Sequence, residues 1–195
     1  MVEPRAPEYS HGMRVEIRYP QFSDEAAYFE AVTRSAEHIG RWNPVEPRAL
    51  PDMVRRQGEA LRTFMIFDTE DGGLVGTCNV SDIVRRRYQN AALGYNSYLP
   101  YNGTGRMTEG MRLVVDACFR PQRLGGLGLH RLEISVQPEN GPSVAMAKRL
   151  GFRLEGYAQR MLYLRDQHGV EDWRDHERYA LTAEEWPGAG AGDVS

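Results

Sequence analysis

Apolar and polar positions first alternate along this chain, then fall into helical stripes, then alternate again. Val15, Ile17 and Tyr19 alternate with charged residues and predict a first strand ending at Pro20. Ser23 and Asp24 offer an N-cap to a helix carrying Ala26, Phe29, Val32 and Thr33. Trp42, Pro44 and Pro47 mark a loop, since each proline disfavours helical geometry in the residue before it. Pro51, at a first-turn position, opens a second helix toward Arg62. Phe64, Ile66 and Phe67 lead into the turn Glu70-Asp71-Gly72-Gly73 and on to Leu74, Val75 and Val80, which reads as strand, tight hairpin, strand. A third strand of this meander falls over residues 91–99, beyond the polar stretch 85–90.

The period then changes. Met107, Met111, Val114 and Cys118 form one apolar helical stripe. Gly125, Gly126 and Gly128 connect it to an alternating strand at Leu132, Ile134 and Val136. Pro142 starts a helix that stops at Leu150-Gly151, glycine being the usual residue just past a helix end. Two last strands, over 153–165 and 173–181, flank a polar turn at 166–172. There are no internal repeats. The pattern predicts one mixed α/β domain over residues 13–186, a flexible segment at 1–12 and a disordered tail at 187–195.

Composition narrows the function classes. The 195 residues carry a net charge of -3, which argues against charge-driven or sequence-specific nucleic-acid binding. Every basic residue but Lys148 is arginine, and Lys148 sits among helix-like neighbours, so Schiff-base chemistry has little footing. Cys78 and Cys118 are too few for a disulfide scaffold or a cysteine-built zinc site, and the five histidines show no metal spacing, so no metal is expected. No apolar run is long enough to span a membrane. Residues 1–12 mix charges with prolines, unlike a signal peptide, so a cytoplasmic protein is expected, as monomer or homodimer.

The chemistry concentrates where a strand ends, a glycine turn follows and a helix begins: Leu99, Pro100, Tyr101, Asn102, Gly103, Thr104, Gly105, Arg106 and Met107. A helix N-terminus presents unpaired N–H groups and partial positive charge, a seat for phosphate or pyrophosphate. Gly103 and Gly105 permit close backbone approach, and Arg106 offers a charge-assisted contact. The P-loop and dinucleotide patterns are both absent, so the turn alone is also compatible with a simple strand-to-helix connection.

The wider series is the meander, Asn102-x-x-Gly105-x-Met107, a helix, a strand, Asn140-x-x-Ser143, Gly151-Phe152, then Glu155-Gly156-Tyr157. It resembles the GNAT superfamily of acetyl-CoA-dependent N-acetyltransferases. Trp42, Leu93-Gly94-Tyr95, Arg149-Leu150-Gly151-Phe152 and Trp173-Arg174-Asp175-His176 are most similar to the RimJ/RimL group, which acetylates the N-terminal amine of ribosomal proteins. The resemblance implies a mostly antiparallel sheet of about seven strands with about four helices, splayed between the fourth and fifth strands. It implies acetyl-CoA as cofactor, its pyrophosphate on Asn102 through Met107 and its pantetheine arm along Ser97, Tyr98 and Leu99. Asn140 and Ser143 match the polar pair facing the cofactor, with Ser143 protonating the departing thiolate; an ordinary helix cap is the competing role for Ser143. Trp42, Asp82 and Tyr157 are expected on the acceptor side.

RimL-type relatives carry a glutamate base where this chain has Leu162. At pH 7 an α-amine with pKa about 7.7–8.0 loses its proton at a cost of roughly 1–1.4 kcal/mol, against roughly 4.6 for a lysine. The substitution therefore favours an α-amine acceptor, with Asp82, Glu133, Tyr157 and Tyr163 as local candidates to hold a water or a proton. Neither cysteine has a histidine nearby in sequence, which favours direct transfer. Arg85-Arg86-Arg87 reads as a solvated loop or as a contact for an acidic partner. Three readings stand: an enzyme acting on a protein N-terminus such as that of a ribosomal protein, an enzyme acting on a small amine, and a non-catalytic acyl-CoA-binding or ribosome-associated factor.

Overall fold

Alternation at Val15–Arg18 becomes β1, and the next polar residues turn the chain into a helix in a way the charges explain. The Asp24 carboxylate accepts from Arg18 at 2.6 Å and from the Gln21 N–H at 2.8 Å, tying the end of β1 to the start of α1 (Glu25–Gly40). A computed structural model describes residues 14–42, 44–166 and 168–188; the expected flexible segment 1–12 and positions 189–195 of the expected tail lie outside them. The order continues α2 (Leu50–Arg55), β2 (Arg62–Asp68), β3 (Leu74–Val84), β4 (Asn90–Ser97), α3 (Arg106–Phe119), β5 (Arg131–Val136), α4 (Gly141–Arg149), β6 (Arg153–Arg165) and β7 (Glu171–Thr182).

The second helix is shorter than its proline start predicts. It ends at Arg55 because only Leu50, Met53 and Val54 offer an apolar stripe, and Gly58 then turns the chain back. The Gln57 side chain closes that turn, donating to the Met53 C=O at 3.0 Å and accepting from the Thr63 N–H at 3.1 Å. Residues 62 and 63 thus belong to β2.

All seven strands form one sheet in the order β1-β2-β3-β4-β5-β7-β6. Every neighbouring pair is antiparallel except β4 with β5. Those two pair only through Asn90, Ala91 and Ala92 opposite Arg131, Leu132 and Glu133, and beyond that they part. The resulting gap is the one break in an otherwise continuous sheet.

Each face of the sheet buries its own core. On one face α3 and α4 cover Phe64, Ile66, Cys78, Leu93, Leu132, Ile134 and Tyr179. On the other, α1 and α2 cover Met65, Phe67, Leu74 and Tyr98, with Tyr28 edge-on to Tyr98 at 6.3 Å. Helix α3 lies close on its face because two glycines leave room. A Cβ at Gly110 would stand 2.4 Å from Ile66 Cγ2, and one at Gly76 would stand 2.5 Å from Met107 Sδ. Trp186, at the edge of the expected tail, instead packs on this core and its indole faces Asp116.

Candidate active site

A cleft of about 440 Å³ occupies the gap between β4 and β5. Ala92 through Ser97 form one wall and Ile134 through Gln137 the other, while Trp42, Asp82, Asn140, Ser143, Leu162 and His176 complete it. Alternation fixes which backbone groups face in. Tyr98 N–H donates to the Val75 C=O across β3 at 2.8 Å, so Ser97 and Tyr95, out of step with it, turn their N–H and C=O groups toward the gap.

This separates the three residues expected along a bound pantetheine arm. Ser97 faces the cleft, and its hydroxyl donates to Asn102 Oδ1 at 2.7 Å. Tyr98 is wholly buried in the second core, its hydroxyl 3.0 Å from that of Thr77. The Leu99 N–H donates to Ser35 Oγ at 2.9 Å and the Leu99 C=O accepts from Arg34 Nε at 3.0 Å, so both of its polar groups are engaged with α1.

The glycine turn reaches α3 through two left-handed residues, Gly103 at φ 74° and Gly105 at φ 83°. Gly105 is the N-cap and supplies no side chain to the helix start. Thr104 Oγ1 donates to the Tyr101 C=O at 2.7 Å, and no described residue accepts from the Met107 or Thr108 N–H. The helix therefore opens with free donors and its positive dipole end, which suits a pyrophosphate. The Arg106 side chain does not join them, contrary to expectation. Its guanidinium turns back onto the buried Asp68 carboxylate and reaches Glu70 at 3.4 Å. Met107 likewise sends its side chain into the core, leaving only its backbone at the turn.

Ser143 has a clear position. The cap of α4 is Asn140, whose Oδ1 accepts from the Ser143 N–H at 3.3 Å, so the Ser143 hydroxyl takes no part in capping. That hydroxyl lies 2.8 Å from Tyr95 Oη, across the gap from β4 to α4. Burial pushes the Tyr95 phenol up to about 12, so it stays protonated and can donate to Ser143. Tyr95 enters the sequence only as part of the Leu93-Gly94-Tyr95 mark; its partner is 48 residues away and only the splay brings them together.

Asp82 lines the cleft from an irregularity in β3, at φ 51°, and its carboxylate accepts from Ser81 Oγ at 3.3 Å. Trp42 is held beside it by the Gln137 side chain, which donates to the Trp42 C=O at 2.9 Å. Tyr157, Glu133 and Tyr163 are not in the cleft wall. Tyr157 is 55% exposed and donates to Asp175; Glu133 pairs with Arg131 and Arg178; the Tyr163 ring lies tilted against that of Trp173, centroids 5.4 Å apart. In the basic run, Arg85 donates to the Leu127 C=O. Both cysteines are buried, which pushes their thiols up and disfavours thiolate. Among the described residues no group of three or more His, Cys, Asp or Glu could hold a metal ion, and no helix is long and apolar enough to cross a membrane.

A splayed sheet with a glycine turn feeding a helix at its parting strands defines an acetyltransferase-type fold. The Acetyltransferase (GNAT) domain family matches residues 14–153, and the chain belongs to that family. It is 38% identical over 118 residues to Probable N-acetyltransferase YjcK of Bacillus subtilis, covering 60% of each protein. It is 34% identical over 131 residues to the [Ribosomal protein uS5]-alanine N-acetyltransferase of Escherichia coli, covering 67% of this chain and 62% of that one. The match thus spans about three-fifths of the length of each relative. Mycobacterium smegmatis RimJ, solved in complex with CoA-disulfide, superposes with a TM-score of 0.75 at 26% identity, covering 96% of this chain and 92% of that one.

Proposed function

We propose that the protein is an acetyl-CoA-dependent N-acetyltransferase whose acceptor is the N-terminal α-amine of a protein or peptide. The observation that carries this reading is the cleft through the sheet, which has different equipment on its two faces. Helix α3 with its free N–H donors, α4 and Ser143 lie on one face; Trp42 and α1 lie on the other. An anionic cofactor and an amine can therefore meet in the gap from opposite sides. When bound, acetyl-CoA supplies the activated acetyl thioester. The α3 N-terminus holds the pyrophosphate, the inward-facing Tyr95 and Ser97 backbone groups hold the pantetheine amides in the manner of an added strand, and Ser143 Oγ, backed by Tyr95, donates a proton to the leaving sulfur. Direct transfer fits the buried, protonated cysteines.

The wall and the family both support this acceptor class. Asp82 is the one carboxylate among the described lining residues, and Leu162 stands where a stronger base is expected. That suits an α-amine, which needs only roughly 1–1.4 kcal/mol to lose its proton at pH 7. The uS5-alanine relative is named for such an acceptor. The test is turnover with acetyl-CoA across peptides beginning with Ala or Ser, free lysine and small amines. Acetylation of the peptides well above the rest is expected; acetylation confined to small amines would overturn the assignment of the acceptor.

A further inference from the structure

One wall of the cleft carries a titratable side chain with no task so far. His176 on β7 is only 2% exposed, yet it lines the cleft. Its Nδ1 lies 2.9 Å from the Arg174 C=O. A carbonyl oxygen only accepts, so Nδ1 carries the proton and Nε2 presents a lone pair. No described residue hydrogen-bonds to Nε2.

The strand register decides which side of the sheet the ring serves. Glu177, Tyr179 and Leu181 sit opposite Val136, Ile134 and Leu132, and Tyr179 and Leu181 share the α3–α4 core with all three. His176, one residue out of step, projects to the other face, that of α1 and Trp42. Tyr95 and Ser143 meet on the α4 face. The two proton-handling groups thus flank the gap from opposite sides, as a transfer between an amine and a thioester requires.

We propose that His176 Nε2 is the proton acceptor of the reaction, which rests on the amine-acceptor reading above. As the nitrogen–carbon bond forms and the carbon–sulfur bond breaks, the amine nitrogen gives one proton to Nε2, directly or through one water. The sulfur takes one from Ser143 Oγ. His176 then releases its proton to solvent and Ser143 regains one, so the cycle closes without another reactant. Burial lowers the imidazole's affinity for a proton, against the opposing pull of the Arg174 carbonyl and the Asp175 and Glu139 carboxylates. The other titratable groups on the cleft wall are His38 from α1, Asp82 from β3 and Tyr95 from β4; β6 presents Met161, Leu162 and Leu164. The ring is therefore neutral at pH 7. It takes its proton from nitrogen as the new bond acidifies it, and need not compete for a free α-ammonium.

The test uses the full chain. In ¹⁵N-histidine NMR without substrates, His176 should be the neutral Nδ1–H tautomer at pH 7 and titrate below the ordinary histidine value of about 6.5. An Nε2–H tautomer, or a ring protonated at pH 7, would overturn the proposal without any variant. His176→Gln should lower kcat by roughly 10²–10⁴-fold with CoA affinity within about twofold of wild type. Its log kcat should climb with pH where the wild type levels off. A His176→Gln enzyme with wild-type kcat and pH profile removes the His176 assignment alone; a wild type that acetylates no amine removes the acceptor reading and this proposal with it.

Discussion

Ser143, Asn140 and Tyr95 divide their labour at single atoms. Asn140 caps α4 through the Ser143 backbone N–H, so removing the Ser143 hydroxyl spares the cap. Ser143→Ala should therefore lower kcat by about 10²-fold or more while leaving CoA affinity unchanged in calorimetry. Asn140→Ala should instead cost about 1 kcal/mol, read as a fall in Tm of about 2–4 °C. At the glycine turn, Gly105 holds φ 83°, a conformation costing roughly 1–2 kcal/mol for a residue with a Cβ and more for a β-branched one. Among the described residues the only atom near a Cβ there is the end of the Arg14 side chain, 3.3 Å away, so strain and not collision is the obstacle. Gly105→Val should weaken CoA binding at least tenfold, and unchanged affinity would contradict the pyrophosphate seat. The turn was legible in the sequence because its residues are adjacent, and Ser143 only through the family resemblance that Asn140-x-x-Ser143 carries. Tyr95 and His176 were not: one needs a partner on another element, and the other needs the strand register that sets its face.

Helix α3 is the element on which the proposed cofactor seat and stability meet. Arg106 clamps its first turn to Asp68 at the end of β2, and the Glu70 and Asp71 N–H groups also bond that carboxylate. Burial raises the Asp68 pKa, but the Arg106 guanidinium and those N–H groups outweigh it and hold the carboxyl below its ordinary value. A depressed folded-state pKa stabilises the fold above the ordinary carboxylate value, and that stability is lost as pH falls through the depressed one. Asp68→Asn should lower Tm at pH 7 by roughly 5–10 °C, and the gap to wild type should narrow below about pH 4. Deeper in the contact, Gly110→Ala should destabilise by about 1–3 kcal/mol in denaturant melts, since its Cβ would meet Ile66. The α3 stripe was plain from its period. The short α2 was not, because its end depends on Gln57 bridging Met53 and Thr63, a tertiary contact that no period encodes.

At the scale of the whole molecule, one parting of two strands organises everything else. It exposes backbone groups on β4, brings α3 and α4 to one face and leaves the other to Trp42, α1 and His176. The net charge of -3 gave no hint of the proposed anion site, because that site is a helix terminus and not a cluster of side chains; Arg106 in its first turn is tied to Asp68, and Arg14 beside it to Glu109. The central claim is transfer to an α-amine, and one substrate tests it: a peptide with a free N-terminal alanine and one internal lysine, incubated with acetyl-CoA and the full chain, its products located by fragment mass spectrometry. A single acetyl group on the terminal nitrogen is the predicted result. An acetyl group on the lysine, or none at all, would contradict the account.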